Sequence, residues 1–290
     1  MYTVTLLASP VTKNLDPSLV ESLRNAWGGR DAVWLAQSEA AAFSVESLPT
    51  NQWDVWDDLQ QIKIDLVVQE TANRRKKMLL ADMDSTMIQQ ECIDELADVA
   101  GVGDYVKDIT ARAMNGELDF DDALRERVAL LKGLPVSIIE QVMSERITFM
   151  PGGDVLLSTM KANGGYAALV SGGFTAFTQK VASHLGFDEN HANTLEVDGD
   201  HLSGTVGMPI LGKQAKVDAL ERITAKLGIT EQDVIAVGDG ANDLGMLGRA
   251  GTGVALHAKP SVAAQCTVRI NHSDLRGLLY IQGYSQGDFA

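Results

Sequence analysis

Cysteine is scarce: Cys92 and Cys266 are the only two in 290 residues. That excludes a disulfide-stapled scaffold and fits a reducing, cytoplasmic compartment. The five histidines, His184, His191, His201, His257 and His272, fall at no metal-site spacing, so structural or surface roles are expected for them. No uninterrupted apolar run approaches the roughly 20 residues a membrane-spanning helix needs. The opening stretch Met1–Ala8 has no basic region and alternates like a strand, so it is read as a strand and not as a leader. Positive charge is short as well. Against 39 Asp and Glu stand 24 Lys and Arg, a net −15, and neither a nucleic acid nor a membrane is expected as partner. Such a chain repels anions at long range, so an anionic ligand requires a metal or a local basic cluster.

Several motifs are missing too. There is no G-x-x-x-x-G-K-[ST], no complete G-x-G-x-x-G and no G-x-S-x-G. An EF-hand loop beginning at Asp82 would place Met87 where glycine is needed and Ile93 where glutamate is needed.

What is present is a chain of ordinary globular composition, with 45% hydrophobic and 22% charged residues. Residues 2–8, 32–36, 42–45 and 64–69 read as strands, and 16–24 and 53–62 as helices. The order predicts a small α+β domain over residues 1–73, closed by a solvated basic linker at Arg74–Lys77. Its expected roles are regulation by amino-acid sensing, shielding of the core or, on the strength of an exposed sheet edge or face, pairing into a homodimer. From residue 74 to 290 the pattern changes to apolar strands alternating with helices. Met78–Ala81, Ala167–Val170 and Val234–Val237 are continuous apolar runs, as buried parallel strands should be. The 89 positions from Asp82 to Ser171 exceed any single crossover, and their helical patterning predicts an inserted helical cap at about 88–148. The fold class expected is α/β: a doubly wound parallel sheet with a helical cap, behind a small α+β domain. A hairpin is expected around Leu195–Val197 and Val206.

Each of the three apolar strands ends in polar chemistry, where an open α/β sheet places its site. Asp82 and Asp84 lie two apart on extended chain, so both carboxylates reach one cavity. Asp239 and Asp243 end another strand. Oxygen ligands without His or Cys suit a hard cation such as Mg²⁺. Two such pairs go beyond what helix-capping aspartates explain. Ser171-Gly172-Gly173 permits close approach of an anion to backbone, and Lys216 falls in order between that turn and the Asp239 cluster.

In that order, Asp-x-Asp-Ser-Thr, Ser-Gly-Gly, Lys and Gly-Asp-Gly-x-Asn-Asp resemble the haloacid dehalogenase superfamily. The stretches Asp82–Glu91 and Leu124–Leu131 are similar to its phosphoserine phosphatase family. The likeness covers about residues 78–285 and excludes the first 75. It implies Asp82 as nucleophile and Asp84 as general acid and base. It implies Mg²⁺ on the carboxylates of Asp82 and Asp239 and the backbone carbonyl of Asp84, with Asp243 in support. Ser171, Gly172, Lys216 and Asn242 would receive the phosphoryl group. Glu91 would meet a substrate ammonium and Arg127 a carboxylate, with Met114 and Phe120 shielding the closed site. Arg125 is the rival of Arg127, and Cys92 is expected to be packing. The activity implied is hydrolysis of O-phospho-L-serine, the last step of serine biosynthesis. The alternative is the same chemistry on phosphothreonine, phosphohomoserine or another small phosphorylated compound. A non-catalytic binding protein would require decayed motifs, and these are intact.

Overall fold

Alternation of period two decides the first seventy residues. The computed structural model describes residues 1–114 and 117–290, and the side chains of Ala113 and Met114 lie outside that description. Strands β1 (Tyr2–Ala8), β2 (Val33–Ala36), β3 (Ala40–Val45) and β4 (Ile64–Glu70) form an antiparallel sheet in the order β2-β3-β1-β4. Helices α1 (Pro17–Ala26) and α2 (Gln52–Gln61) complete a ferredoxin-like βαββαβ unit. Asp16 caps α1 by accepting the Ser18 N–H at 2.7 Å, with Pro17 in the first turn. On one sheet face Val4, Leu6, Ala41, Phe43, Ile64 and Leu66 pack with Val20 and Leu23 of α1 and Leu59 of α2.

The opposite sheet face is not free. Leu7, Ala40, Ala42 and Val67 belong to the same apolar cluster as the C-terminal helix α12 (Gly277–Ile281). Every residue of α12 is buried, because it is covered on both sides. Polar groups fix the joint. Asp65, wholly buried, accepts the backbone N–H groups of Asn271, His272 and Ser273 at 2.9, 2.9 and 2.8 Å. The Tyr280 hydroxyl donates to Glu39 at 2.9 Å. The sheet face opposite α1 and α2 is therefore occupied by the chain itself, while β2 remains at the outer edge of the sheet.

The basic stretch also differs from a solvated linker. Lys76 is buried and donates to the Gln232 carbonyl at 2.8 Å, and the Arg75 guanidinium lies 3.8 Å from the centre of the Tyr284 ring. Lys77 reaches out, to Asp233 at 3.1 Å, and Arg75 is exposed as well. Alkyl stems of Lys and Arg cover apolar surface as readily as they extend into water.

The second sheet has six parallel strands in the order β12-β11-β10-β5-β6-β7. They are β5 (Met78–Ala81), β6 (Tyr166–Phe174), β7 (Glu189–Asn193), β10 (Val234–Gly238), β11 (Thr252–Leu256) and β12 (Val268–Ile270). Strands β5 and β10 are buried along their whole length, as apolar strands covered on both faces must be. Helices α7 (Gly153–Ala162), α8 (Thr175–Leu185), α9 (Lys213–Leu227), α10 (Leu244–Arg249) and α11 (Pro260–Ala263) complete this layer structure. The chain leaves β5 toward β6 and returns to β10 on its other side, so the strand order reverses beside β5.

Between β5 and β6 lies a helical insertion: α3 (Cys92–Val99), α4 (Gly103–Met114), α5 (Phe120–Ala129) and α6 (Ser137–Glu145). Its two connections meet in a bridge between Ile88 and Phe149. The hairpin of β8 (Leu195–Asp198) and β9 (His201–Val206) forms as the sequence predicts, but it joins this cap. Gly133 donates to the Leu202 carbonyl at 2.8 Å and Val136 to that of Asp200 at 2.9 Å. The α/β fold class, with cap and extra α+β unit, is borne out. Among the described residues no helix is long and apolar enough to cross a membrane.

Candidate active site

The reversal of strand order fixes where the chemistry gathers. Asp82 continues β5 by donating its N–H to the Val237 carbonyl of β10 at 3.0 Å, so the ends of the two strands stay side by side. A cavity of about 480 Å³ opens there, between sheet and cap. Its lining includes Asp82, Asp84, Ser171, Gly172, Asp239 and Asn242 from the sheet side, and Glu91, Phe120 and Arg127 from the cap.

Lys216, on α9, is 1% exposed and binds two carboxylates, Asp82 at 2.7 Å and Asp243 at 2.5 Å. Burial works against its charge, but Asp82 and Asp243 outweigh that and hold the ammonium more firmly protonated than usual. Asp243 is also no ordinary helix cap. Its second oxygen turns back to accept the N–H groups of Asp239 and Gly240 at 3.1 and 3.0 Å. Side-chain packing demands glycine nearby, since a Cβ at Gly238 would lie 2.3 Å from the Asp243 carboxyl carbon.

Asp84 accepts the Cys92 N–H at 2.8 Å on one oxygen and the Ser171 hydroxyl at 3.2 Å on the other. Ser171 in turn accepts the Gly173 N–H at 2.8 Å. A Cβ on Gly173 would fall 2.7 Å from Asp84, which explains the glycine. Residues Ser171–Phe174 are not a strand-to-helix turn: β6 runs to Phe174, and α8 begins after it. Phe120 leans over the backbone, with its ring tip 3.2 Å from where a Gly172 Cβ would sit.

Burial pushes the Asp82 carboxyl well up, with Lys216 pulling it back and Asp243 adding to the rise. Burial likewise raises Asp84, against the Cys92 N–H that favours its charge. Asp239 is raised to about 6, by burial first and by Asp243 second. Oxygens of Asp82, Asp239 and Asp243 lie within 4.8 Å of one another. The Asp84 carboxylate is outside that group and faces Ser171 and Cys92. Three carboxylates compensated by one ammonium leave negative charge in excess, and an all-oxygen donor set fits a hard divalent cation.

On the cap, Glu91 accepts the Ser85 hydroxyl at 2.7 Å and is raised to about 7, by burial first and then by the charge on Asp84. Arg127 faces the cavity, its Nε–H donating to the Ala123 carbonyl at 3.2 Å. Arg125 pairs with Asp121 and Asp122 and, unlike Arg127, is not among the residues that line the cavity. Cys92 is buried and unpaired. Met114 is named by the sequence, but its side chain lies outside the described residues.

Three contributors were missed. Buried Asn193 clamps two segments, donating to the Gly172 and Leu211 carbonyls at 2.9 and 3.1 Å and accepting the Leu211 N–H at 2.7 Å. The Thr86 hydroxyl donates to Asp239 at 3.3 Å. Lys259, just before α11, lines the cavity beside Asn242. Only the Thr86 position, four residues after Asp82, carried a signal in the sequence.

Residues 79–248 match the family model for haloacid dehalogenase-like hydrolases. A phosphoserine phosphatase of Archaeoglobus fulgidus is 43% identical over 223 residues, which are 76% of this chain and 64% of that protein. The chain thus spans slightly less than two thirds of that relative's length. A phosphoserine phosphatase of Lactococcus lactis is 45% identical over 206 residues, 71% of this chain and 94% of that protein. The unliganded crystal structure of a probable phosphoserine phosphatase from Vibrio cholerae has a TM-score of 0.80 at 32% identity, over 99% of this chain and 88% of that one. The matched segment carries both aspartate clusters, Ser171 and Lys216, and by it the chain belongs to the phosphoserine phosphatase family of haloacid dehalogenase-like hydrolases.

Proposed function

We propose that the chain hydrolyses O-phospho-L-serine to L-serine and phosphate, the last step of serine biosynthesis, in the cytoplasm and with Mg²⁺ as cofactor. One observation carries the substrate: a single cavity has Asp82 and Asp84 on its floor and Glu91 and Arg127 on its cap wall. That is an acceptor for phosphorus at one end and a carboxylate–guanidinium pair for an amino acid at the other. Catalysis is assigned to residues 74–290, with the cap at about 88–148, and residues 1–73 to its support.

Asp82 attacks phosphorus, and the bond from phosphorus to the serine oxygen breaks with its electron pair going to that oxygen. Asp84 supplies the proton; the upward push of burial suits it to hold one beforehand. Asp84 then takes a proton from water, whose oxygen attacks phosphorus and frees Asp82. Ser171, Gly172 and Asn242 hold phosphoryl oxygens. Lys216 spends two of its three donors on Asp82 and Asp243 and has one left for the phosphoryl group. The carboxylates of Asp82 and Asp239 and the Asp84 carbonyl would hold Mg²⁺, with Asp243 fixing the turn. Bound there, the ion neutralises charge on the transferring group.

The test is phosphate release from phosphoserine, phosphothreonine, phosphohomoserine and phosphoethanolamine, with Mg²⁺ and with a chelator. Phosphoserine should be fastest, and chelation should stop it reversibly. Arg127→Ala should cost about 2–4 kcal/mol in kcat/KM on phosphoserine, the range for truncating one partner of a buried charge pair. On phosphoethanolamine, which lacks the carboxylate, it should cost far less. Equal losses on both would remove Arg127 from the amino-acid end.

Acidity adds a second expectation. A carboxyl raised to about 7 gains a proton as pH falls through that value, and a neutral Glu91 no longer pairs with an ammonium. KM for phosphoserine should therefore rise between pH 8 and pH 6 in the wild type. Glu91→Gln should start higher and lack that limb, the substrate's own titration being common to both. Parallel profiles would contradict the pairing.

A further inference from the structure

The charges around the cavity do not balance. Asp82, Asp84, Glu91, Asp94 and Asp239 all line it, while among the described residues only Arg127 and Lys259 bring positive charge to the wall. Lys216 lies buried beneath, with two of its three donors on Asp82 and Asp243. Arg127 sits on the cap, where the proposed reading gives it the substrate carboxylate. Among the described side chains that line the sheet side, a phosphate dianion approaching a chain of net −15 thus meets one uncommitted cation, Lys259.

Its setting suits that task. Lys259 immediately precedes α11, and its carbonyl accepts the N–H groups of Val262 and Ala263 at 2.9 Å each, so its backbone is pinned. Pro260 stiffens the next position. The side chain is exposed and, among the described residues, enters no ion pair. It shares the wall with Gly240, Ala241 and Asn242, the turn that follows β10. A cation on a fixed root at the rim of an acidic cleft raises the local concentration of an anion and orients its approach.

We propose that Lys259 is the positioning residue that receives the phosphoryl dianion, drawing it to the Asn242 side of the cavity before Ser171 and Lys216 engage it. For turnover this rests on the phosphoserine reading; for phosphate binding it does not. The test compares wild type with Lys259→Ala, Lys259→Glu and Lys259→Arg in the full chain with Mg²⁺. Inorganic phosphate is titrated by calorimetry, and kcat and KM for phosphoserine are measured at low and high salt. Lys259→Ala should weaken phosphate binding about fivefold and Lys259→Glu about twentyfold or more, with Arg restoring it to within about twofold. The loss in turnover should fall on KM, and the decline of kcat/KM with salt should flatten in the Ala variant. A merely structural lysine would change the melting temperature and leave the salt slope intact. Phosphate affinity and salt slope in Lys259→Glu equal to wild type would overturn the proposal. A wild type that binds phosphate yet releases none from phosphoserine would refute the substrate reading, and the phosphate titrations would still decide Lys259.

Discussion

Asp82→Asn should abolish turnover, by more than about 10⁴-fold in kcat, while the protein stays folded. An amide of the same shape has no anionic oxygen to attack phosphorus. The substitution should not cost stability, for a reason visible in the charges. Burial pushes the Asp82 carboxyl well up, so keeping it ionised at neutral pH opposes folding, and Asp243 at the same ammonium makes this worse. Asn relieves both, and Lys216 keeps Asp243 at 2.5 Å as its counter-ion. The melting temperature without metal should hold or rise. Removing the lysine is the contrasting case: Lys216→Met strands two buried carboxylates and should cost about 3–5 kcal/mol. Phosphate release and thermal unfolding on the two variants check the pair of results. An Asp82→Asn protein with near-normal steady-state rates would end the covalent mechanism.

The second large effect concerns residues 1–73. A chain beginning at Arg74 should be poorly folded or should aggregate, even though every site residue is retained. Deletion uncovers the sheet-facing side of α12, where Tyr280 touches Glu39 and the apolar partners Leu7, Ala42 and Val67 are lost. Each large apolar side chain left in water costs about 1.5–3 kcal/mol. The three N–H groups held by Asp65 lose their acceptor at about 1 kcal/mol each. Against a total stability of about 5–15 kcal/mol that is a large share. The matched region makes up 94% of the Lactococcus lactis relative, which has no room for such a domain. The requirement therefore lies in the surface of this α12 and not in the catalytic unit as such. Thermal unfolding and dye binding to exposed apolar surface, compared with the full chain, decide it. An unchanged melting temperature and full activity would show that the shared core adds little.

How much of this was legible in the sequence follows from what each pattern encodes. Period-two alternation in Tyr2–Ala8 and Ile64–Glu70 marks strands with one apolar face, and does not tell what covers the other. The sequence left an edge or a face for a second copy, and the structure gives the face to α12. The continuous apolar runs at Met78–Ala81 and Val234–Val237 are the pattern of strands buried on both sides, so the sheet and its polar strand ends were legible. Asp82, Asp84, Asp239 and Asp243 were found because pairs of acids after such strands need a common explanation. Asn193 and Lys259 were missed because a single asparagine or lysine has no spacing to betray it; only the return of the chain beside β6 and β10 gives them a neighbour. Four consecutive basic residues signal solvent by their charge alone, whereas Lys76 is buried because its stem packs inside and its ammonium finds the Gln232 carbonyl.

Acid-quenched single turnover with radiolabelled phosphoserine and Mg²⁺, followed by peptide mapping, tests the central claim most directly. Label should stay on the protein, in the one peptide that contains Asp82, appear before free phosphate, and be absent from Asp82→Asn. Full release of phosphate with no label on the protein, or label mapped to a peptide without Asp82, would contradict the account.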